Sequence, residues 1–277
     1  RAASGDESRL IRFAHGADAW YTRSAWRARE LWRELETEAG TELFRECGVA
    51  WFAHAEDGWE AASERILRDE EIPVERLPPD HGGRLFPSFE AGDLAFILWE
   101  PNAGILRAAD ATRAMTTSAQ EGGVKVVREA AEPGRLEGDA VVWACGAWLA
   151  SLFPEIVPLR VTRQDSFYLD CGEAWSAGRV PAWVEYDERF PALAAAPLAF
   201  SKACPYSLTP DTHFLLAPHP ELDGNWIFGG GSGHGFKHGP ALAEYAARVI
   251  AGGETPDERF GLGPRETGPS LRTAGLT

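Results

Sequence analysis

The sequence has little positive charge relative to its negative charge. Its 277 residues include 27 Lys and Arg against 42 Asp and Glu, which gives a formal net charge of −15. Nucleic acids and anionic membrane surfaces both favour clustered positive charge, so this balance argues against either of them as a partner. One or two buried cations could still dominate the charge of a small pocket.

The sequence also lacks long apolar runs and paired cysteines. No run approaches the roughly 20 residues that span a bilayer, and the N-terminus lacks the apolar segment of a signal peptide. The four cysteines form no C-x-x-C pair, so neither a zinc site nor a disulfide framework is indicated. With 44% hydrophobic residues, the composition is typical of a soluble globular protein, and we expect it in the reducing cytoplasm.

Two phosphate-binding motifs are missing from the most glycine-rich stretch, "WIFGGGSGHGFKHGPALAEY". The P-loop pattern fails because Phe236 precedes Lys237 and His238 replaces the Ser or Thr. The dinucleotide pattern G-x-G-x-x-G fails because its sixth position is His234 or Phe236. A metal site at His234 and His238 would lack an underlying helix and a nearby carboxylate, so we predict no metal.

Two interpretations of this glycine loop remain open on composition. A strand, a glycine loop and a helix N-terminus present free backbone N–H groups, which suit an anion or an electron-rich ring. Alternatively, the glycines only allow a helix to pack closely on a sheet, and Lys237 is a solvated surface residue.

The hydrophobic pattern predicts an α/β protein. Helical spacing covers residues 20–39, with Gly40 as the C-terminal cap, and "GVAWFAHA" and "WEAASERILRDE" predict a strand and a helix. "DAVVWACGAWLASLF" is typical of a strand buried on both faces, followed by Gly146 and a helix. Ligands bind at the ends of such strands. "RVTRQDSFYLD" and "PAWVEYDE" alternate as half-buried strands and indicate a second sheet, while "GNWIF" and "PALAEYAARVIAGG" flank the glycine loop as strand and helix.

Four stretches together resemble a known family. "GGGSGHGFKHGP" is similar to the C-terminal flavin-binding signature of the D-amino-acid oxidase superfamily, in its monomeric sarcosine oxidase and N-methyltryptophan oxidase branch. "SGDESRLIRFAHG", "VVWACGAWL" and "CPYSLTPDTHFLL" resemble three further segments of that branch in the same order. The resemblance covers most of the chain, and four ordered motifs are more specific than any one of them.

The resemblance implies a role for each matching residue. Cys204 matches the cysteine that joins the flavin through a thioether, and Arg9 matches an arginine near the reactive face of the ring. Arg12 and Lys237 match the pair that holds the substrate carboxylate, and His234 belongs to the loop beside flavin and substrate. The implied catalytic residues are Arg9, Arg12, Lys237 and His234. The implied cofactor-binding residues are Ser4, Gly5, Arg9, Gly146, Cys204, Gly231, Ser232, Gly233, Gly235, Phe236 and Lys237.

The resemblance also implies a domain division and an activity. A discontinuous Rossmann-type FAD-binding domain would comprise residues 1–45, 100–160 and 204–277. A substrate domain on a largely antiparallel sheet would comprise residues 46–99 and 161–203. The implied protein is a monomeric oxidase of a secondary or cyclic amino acid, which reduces oxygen to hydrogen peroxide. The alternatives are a dehydrogenase with another electron acceptor and a flavin-free relative that binds a carboxylate without turnover.

The sequence departs from the family in two places. It has no G-x-G-x-x-G and no strand-end acid for the FAD ribose, so the first β-α-β unit is missing. A segment that normally carries an oxygen-activating lysine is also missing between Phe190 and Pro191. These departures have three alternative explanations. The sequence contains only the ordered stretches of a longer chain, the chain is truncated, or it is a degenerate homologue without FAD. The first is favoured, because removing a central unit from a parallel sheet would expose strand edges.

Overall fold

The computed structural model describes residues 7–176, 178–184, 189–190, 193–194 and 196–268. In this part of the chain the helices are α1 Ala19–Ala39, α2 Trp59–Asp69, α3 Gly82–Leu85, α4 Ala108–Glu121, α5 Leu149–Leu152 and α6 Gly235–Ile250. The strands are β1 Ser8–Ile11, β2 Phe44–Arg45, β3 Val49–Ala53, β4 Glu75–Leu77, β5 Phe96–Glu100, β6 Gly104–Arg107, β7 Val141–Trp143, β8 Arg160–Leu169, β9 Ala182–Val184, β10 Leu198–Leu208, β11 Leu215–Pro218 and β12 Asn225–Gly229. The prediction of a mixed α/β fold is confirmed.

The strands form four sheets. Their orders are β1-β6-β2, β4-β5-β3-β9, β11-β12-β7 and the ribbon β10-β8. In the four-stranded sheet the β4–β5 and β5–β3 pairs are antiparallel and the β3–β9 pair is parallel. The predicted domain boundary before residue 204 falls within β10, and the division into two domains stays a prediction.

Helix α1 forms as the sequence predicts. The Asp18 side chain caps its first turn by accepting from Trp20 N at 3.1 Å, and Gly40 ends it in the left-handed region at φ +62°. Its apolar face places Trp32, which is 1% exposed, in the main hydrophobic cluster beside β3 and β5. The helix also packs along α6, so it links the N-terminal strand to the glycine loop.

The interpretation of "DAVVWACGAWLASLF" as a strand buried on both faces is wrong. Strand β7 has three residues, and Val142 in its middle is 42% exposed. Val141 and Trp143 pack with Leu149 and Ile227 on one face, whereas no described element covers Val142 on the other. The predicted Gly146 does follow the strand, in a 3-10 turn with φ +57°.

One helix begins earlier than the sequence predicts. Helix α6 begins at Gly235 and not at Pro240, so Lys237 and His238 lie on the helix and Pro240 lies within it. Ser4 and Gly5, predicted to bind the cofactor, lie outside the described residues.

Candidate functional site

A cavity of about 560 Å³ lies where β1, β10, the end of β7 and the glycine loop converge. Its volume is in the range of small-molecule and cofactor sites. It brings together every predicted site residue that the structure describes, which are Arg9, Arg12, Gly146, Cys204, Gly231, Ser232, Gly233, His234, Gly235, Phe236 and Lys237.

The glycine loop is held by a buried hydroxyl. Ser232 is 0% exposed and adopts φ +43°, an uncommon conformation for a residue with a side chain. Its Oγ accepts from the backbone N–H of Thr209 at 3.1 Å and donates to the carbonyl of Gly230 at 3.0 Å. Since these bonds use the hydroxyl, Ser232 fixes the loop against the segment after β10, and its backbone is the part that faces the cavity.

The glycines of the loop serve different purposes. Gly230 needs φ +68°, and a Cβ on Gly229 would come within 2.3 Å of the Leu149 side chain, so both satisfy the fold itself. Gly231 is different, because a Cβ there would meet only the backbone of Gly235, at 3.7 Å or more, and its φ does not require glycine. The chain alone therefore does not explain Gly231, whereas close approach of a bound group to the loop would.

Lys237 is a buried lysine and not a surface one. It is 3% exposed, and its Nζ donates to the carbonyl of His234 at 3.1 Å. Burial, followed by the positive charge of Arg12, lowers the pKa of Lys237 well below its usual value, and Glu100 opposes this only in part. The close-packing interpretation of the loop therefore does not account for Lys237.

The second cation of the cavity, Arg12, is held by contacts that the sequence did not indicate. It is 5% exposed, it donates to the carbonyl of Ala14, and its guanidinium lies 5.0 Å from the ring of Trp51. The carboxylate of Glu100, 0% exposed, accepts from the N–H groups of Phe13 at 2.6 Å and Ala14 at 3.1 Å.

The indole of Trp51 also donates to Glu100, at 2.6 Å. Burial raises the pKa of Glu100 in spite of these three donors and of Arg12 nearby. Glu100 thus fixes the backbone that follows Arg12. An acid ending the apolar stretch "FILWE" was the available signal for this residue, which was not predicted to belong to the site.

Arg9 and Cys204 meet at the opposite wall of the cavity. Cys204 is 5% exposed on β10, and Arg9 Nη2 lies 3.5 Å from its Sγ. A guanidinium at this distance would stabilise negative charge on the sulfur. The predicted pairing of these two residues with one ligand therefore has a geometric basis.

The sequence argument against a histidine cluster is wrong in one respect. His238 lies on α6 and His234 caps it, so a helix does underlie the pair. His15, which follows β1, joins them, and one ring nitrogen of each of the three lies within 4.8 Å of the others. His15 and His238 were missed as site candidates, because residues distant in sequence meet only in the fold.

Comparison with known proteins identifies the cofactor. The family model described as "FAD dependent oxidoreductase" (DAO) matches residues 1–187. The chain belongs to the DAO family of FAD-dependent oxidoreductases. An N-methyl-L-tryptophan oxidase of Yersinia pestis is 25% identical over 305 residues, spanning 87% of this chain and 82% of that protein. The resemblance inferred from the motifs is therefore confirmed.

Solved structures of DAO proteins show the same fold. The L-proline dehydrogenase of P. horikoshii has a TM-score of 0.79 at 18% identity, covering 92% of this chain and 85% of that one. The iminodiacetate oxidase of Chelativorans sp. BNC1 has a TM-score of 0.78 at 18% identity, covering 95% and 91%. In the part of the chain that the structure describes, no helix is long and apolar enough to cross a membrane.

The residues around the cavity fit a flavin. Gly231 offers backbone where the chain itself would accept a side chain, and Cys204 and Arg9 face the same space. The 3-10 turn from Gly146, at the end of β7, occupies the position where α/β sheets bind ligands. No described residues form a G-x-G-x-x-G loop, so this fit concerns the flavin end of FAD.

Proposed function

We propose that the chain oxidises the C–N bond of a secondary or cyclic amino acid, with FAD as the cofactor and oxygen as the electron acceptor. The observation that carries this proposal is the pair Arg12 and Lys237, two buried basic side chains on the cavity that also holds Cys204 and the glycine loop. The relatives support the substrate class, because they include proteins named N-methyl-L-tryptophan oxidase and iminodiacetate oxidase.

The two cations would bind the substrate carboxylate. An arginine fork pairs with both carboxylate oxygens, and a lysine adds a second charge-assisted hydrogen bond. Burial lowers the pKa of Lys237 and so favours its neutral form before the ligand arrives, and an approaching carboxylate favours its protonated form. Binding would therefore bring a proton to Nζ and order the substrate so that its C–N bond faces the flavin.

The remaining residues would position the two reactants. Bound FAD would supply the acceptor for the hydride of the substrate. Arg9 would stabilise negative charge near the ring, and Ser232 would keep the loop backbone in place. His234, whose Nε2 lies 2.9 Å from the carbonyl of Thr212, would fix the start of α6 so that Lys237 points into the cavity.

Cys204 would attach the flavin covalently through a thioether. Its Sγ faces the cavity beside the Arg9 guanidinium, and the other three cysteines of the sequence do not line this cavity. The test is acid precipitation of the FAD-loaded protein. We expect a yellow pellet from the wild type and from Cys171→Ser, and flavin released to the supernatant from Cys204→Ser. Release from the wild type as well would exclude the covalent bond but would leave the oxidase proposal standing.

Turnover is tested with N-methyl and cyclic amino acids as substrates, by measuring peroxide formation and oxygen uptake. We expect both with the wild type, and a loss of about 10–100-fold in kcat/KM with Lys237→Met, because one charge-assisted hydrogen bond is removed. A flavin-loaded protein that forms no peroxide with any of these compounds would contradict the proposal.

A dehydrogenase is the second candidate, and one similar structure, named L-proline dehydrogenase, favours it. Reduction of an artificial dye by the substrate without oxygen uptake would identify this activity. A protein that takes up no FAD and binds only the carboxylate would support the flavin-free alternative. The monomeric state, the cytoplasmic location and the two-domain division are also proposals, and a sizing column tests the first of them.

A further inference from the structure

Three buried histidines meet beside the cavity, and the proposed function uses only one of them. His15, His234 and His238 are 1%, 6% and 0% exposed, and one ring nitrogen of each lies within 4.8 Å of the other two. Tyr21 and Phe214 pack against the cluster, with the ring of Phe214 stacked 4.9 Å from that of His234. The packing restricts how the imidazoles can turn.

Hydrogen bonds fix the tautomers of two of the rings. Nδ1 of His15 lies 2.9 Å from the carbonyl of Phe13, and Nε2 of His234 lies 2.9 Å from the carbonyl of Thr212. A carbonyl oxygen only accepts, so each of these nitrogens carries a proton. The lone pair of His15 is therefore on Nε2, and that of His234 is on Nδ1. Metal-binding histidines show the same arrangement, with the other nitrogen donating to a carbonyl or carboxylate.

The third ring is oriented by a hydroxyl. Nδ1 of His238 lies 3.0 Å from Oγ of Ser24 on α1. Among the described residues, Nε2 of His15 and Nε2 of His238 have no hydrogen-bond partner, although both atoms are buried. Unpaired buried nitrogens are costly and uncommon in folded proteins, so two of them in one cluster point to a missing partner.

The charge state of the rings suits a metal ion. Burial lowers the pKa of His15 and of His238 well below the usual value, and the positive charge of Lys237 and Arg12 lowers both further. For His15 and His238 this favours the neutral imidazole, which is the form that binds metals.

We propose that His15, His234 and His238 form a three-imidazole site for one divalent transition-metal ion, with zinc as the best match. Neutral imidazole nitrogens suit zinc, and three histidines leave a fourth position for water. A tetrahedral site with Zn–N bonds of about 2.1 Å brings the nitrogens to roughly 3.4 Å from one another, so small rotations of the rings close the cluster. This proposal departs from the sequence-based expectation of no metal.

A second cavity borders the cluster at His15. It has a volume of about 590 Å³ and is also lined by Trp59, Asp211 and His213. A metal ion held here would tie the segment after β1 to the loop and to α6. The proposal does not rest on the oxidase activity, because zinc binding is measured without substrate.

The test uses the tag-free, FAD-loaded full chain. Isothermal titration with zinc chloride should show one saturable ion per chain, with a Kd below about 10 µM. We expect His15→Gln and His238→Gln each to weaken binding by at least about tenfold, and Ser24→Ala to weaken it by about 10-fold or more. His81→Gln, a change of a histidine outside the cluster, should bind zinc as the wild type does.

X-ray absorption at the zinc edge of the wild type avoids any folding defect of the variants. We expect about three imidazole nitrogens and one oxygen at roughly 2.0–2.1 Å from the zinc. The proposal is overturned if the wild type binds no zinc below about 100 µM, if its absorption spectrum lacks imidazole scattering, or if folded His15→Gln and His238→Gln retain wild-type affinity.

Discussion

Replacing Lys237 by Met should change how the stability of the protein depends on pH. Lys237 is 3% exposed, and burial lowers its pKa well below 10.5. Between the two pKa values the unfolded chain binds a proton that the folded chain has released. Stability rises with pH wherever the unfolded state binds more protons, so the free energy of unfolding should rise between pH 8 and pH 10.

The magnitude follows from one proton. Each pKa unit corresponds to about 1.4 kcal/mol, and the unfolded lysine begins to lose its proton near pH 10. The wild type should therefore gain up to about 2.5 kcal/mol from Lys237 between pH 8 and pH 10, the limit that is reached when the folded amine carries no proton over this range. Lys237→Met cannot titrate and should lack this gain. The methionine should also make the protein more stable than the wild type at pH 8, because it removes a poorly solvated amine at the loss of one hydrogen bond.

Urea denaturation at pH 8, 9 and 10, without carboxylate ligands, measures both effects. The matched control is Lys125→Met, since Lys125 is exposed after α4 and should keep the wild-type pH dependence. Tyrosines and cysteines that titrate in this range contribute equally to all three proteins and cancel in the differences. Parallel pH profiles for the wild type and Lys237→Met would refute the conclusion that the buried amine is neutral.

Three further predictions test the candidate site and the fold around it. Gly231→Ala should change the free energy of unfolding by less than about 1 kcal/mol and weaken FAD binding at least about tenfold, because its methyl group would fill space left for the flavin. Gly83→Ala is the control. Unchanged FAD affinity in Gly231→Ala would contradict the prediction. When a carboxylate inhibitor binds at pH 8, the protein should take up about one proton per chain, which calorimetry in buffers of different ionisation enthalpy measures. Lys237→Met should abolish this uptake. Gly48→Ala should lower the free energy of unfolding, measured by urea denaturation, by about 2–4 kcal/mol, because φ is +79° and the new Cβ would lie 1.8 Å from the Trp99 ring. A smaller loss would mean that the ring moves aside.

Local patterns in the sequence were sufficient to predict much of the fold. The spacing of Ala28, Leu31 and Trp32 reflects one buried helix face, and Gly40 marks its end, so α1 could be predicted within one residue. Strand β7 could not be, because an apolar run does not reveal whether another element covers its second face. Val142 is exposed for that reason.

The residues of the candidate site likewise include some that the sequence predicts and some that it does not. Arg12, Lys237 and Cys204 lie in motifs that are contiguous in sequence, and the structure places all three on one cavity. Glu100 and His238 have hydrogen-bond partners from 49 to 214 residues away, and His15 meets the other two histidines only through tertiary contact, so their spacing in the sequence carries no pattern. Which ionisable side chains are buried, and how burial shifts their pKa values, follow from the fold and cannot be obtained from composition.

The carboxylate of Glu100 has a consequence for protein engineering. It ends β5, whose other residues were predicted to belong to the substrate domain, and it holds the backbone that follows Arg12 in the N-terminal segment. Transplanting the β3–β5 sheet from a relative to change substrate preference would therefore also replace the anchor of Arg12. A chimera needs an acid at position 100 and an indole at position 51 to keep that anchor, so the two halves of this chain are not interchangeable parts.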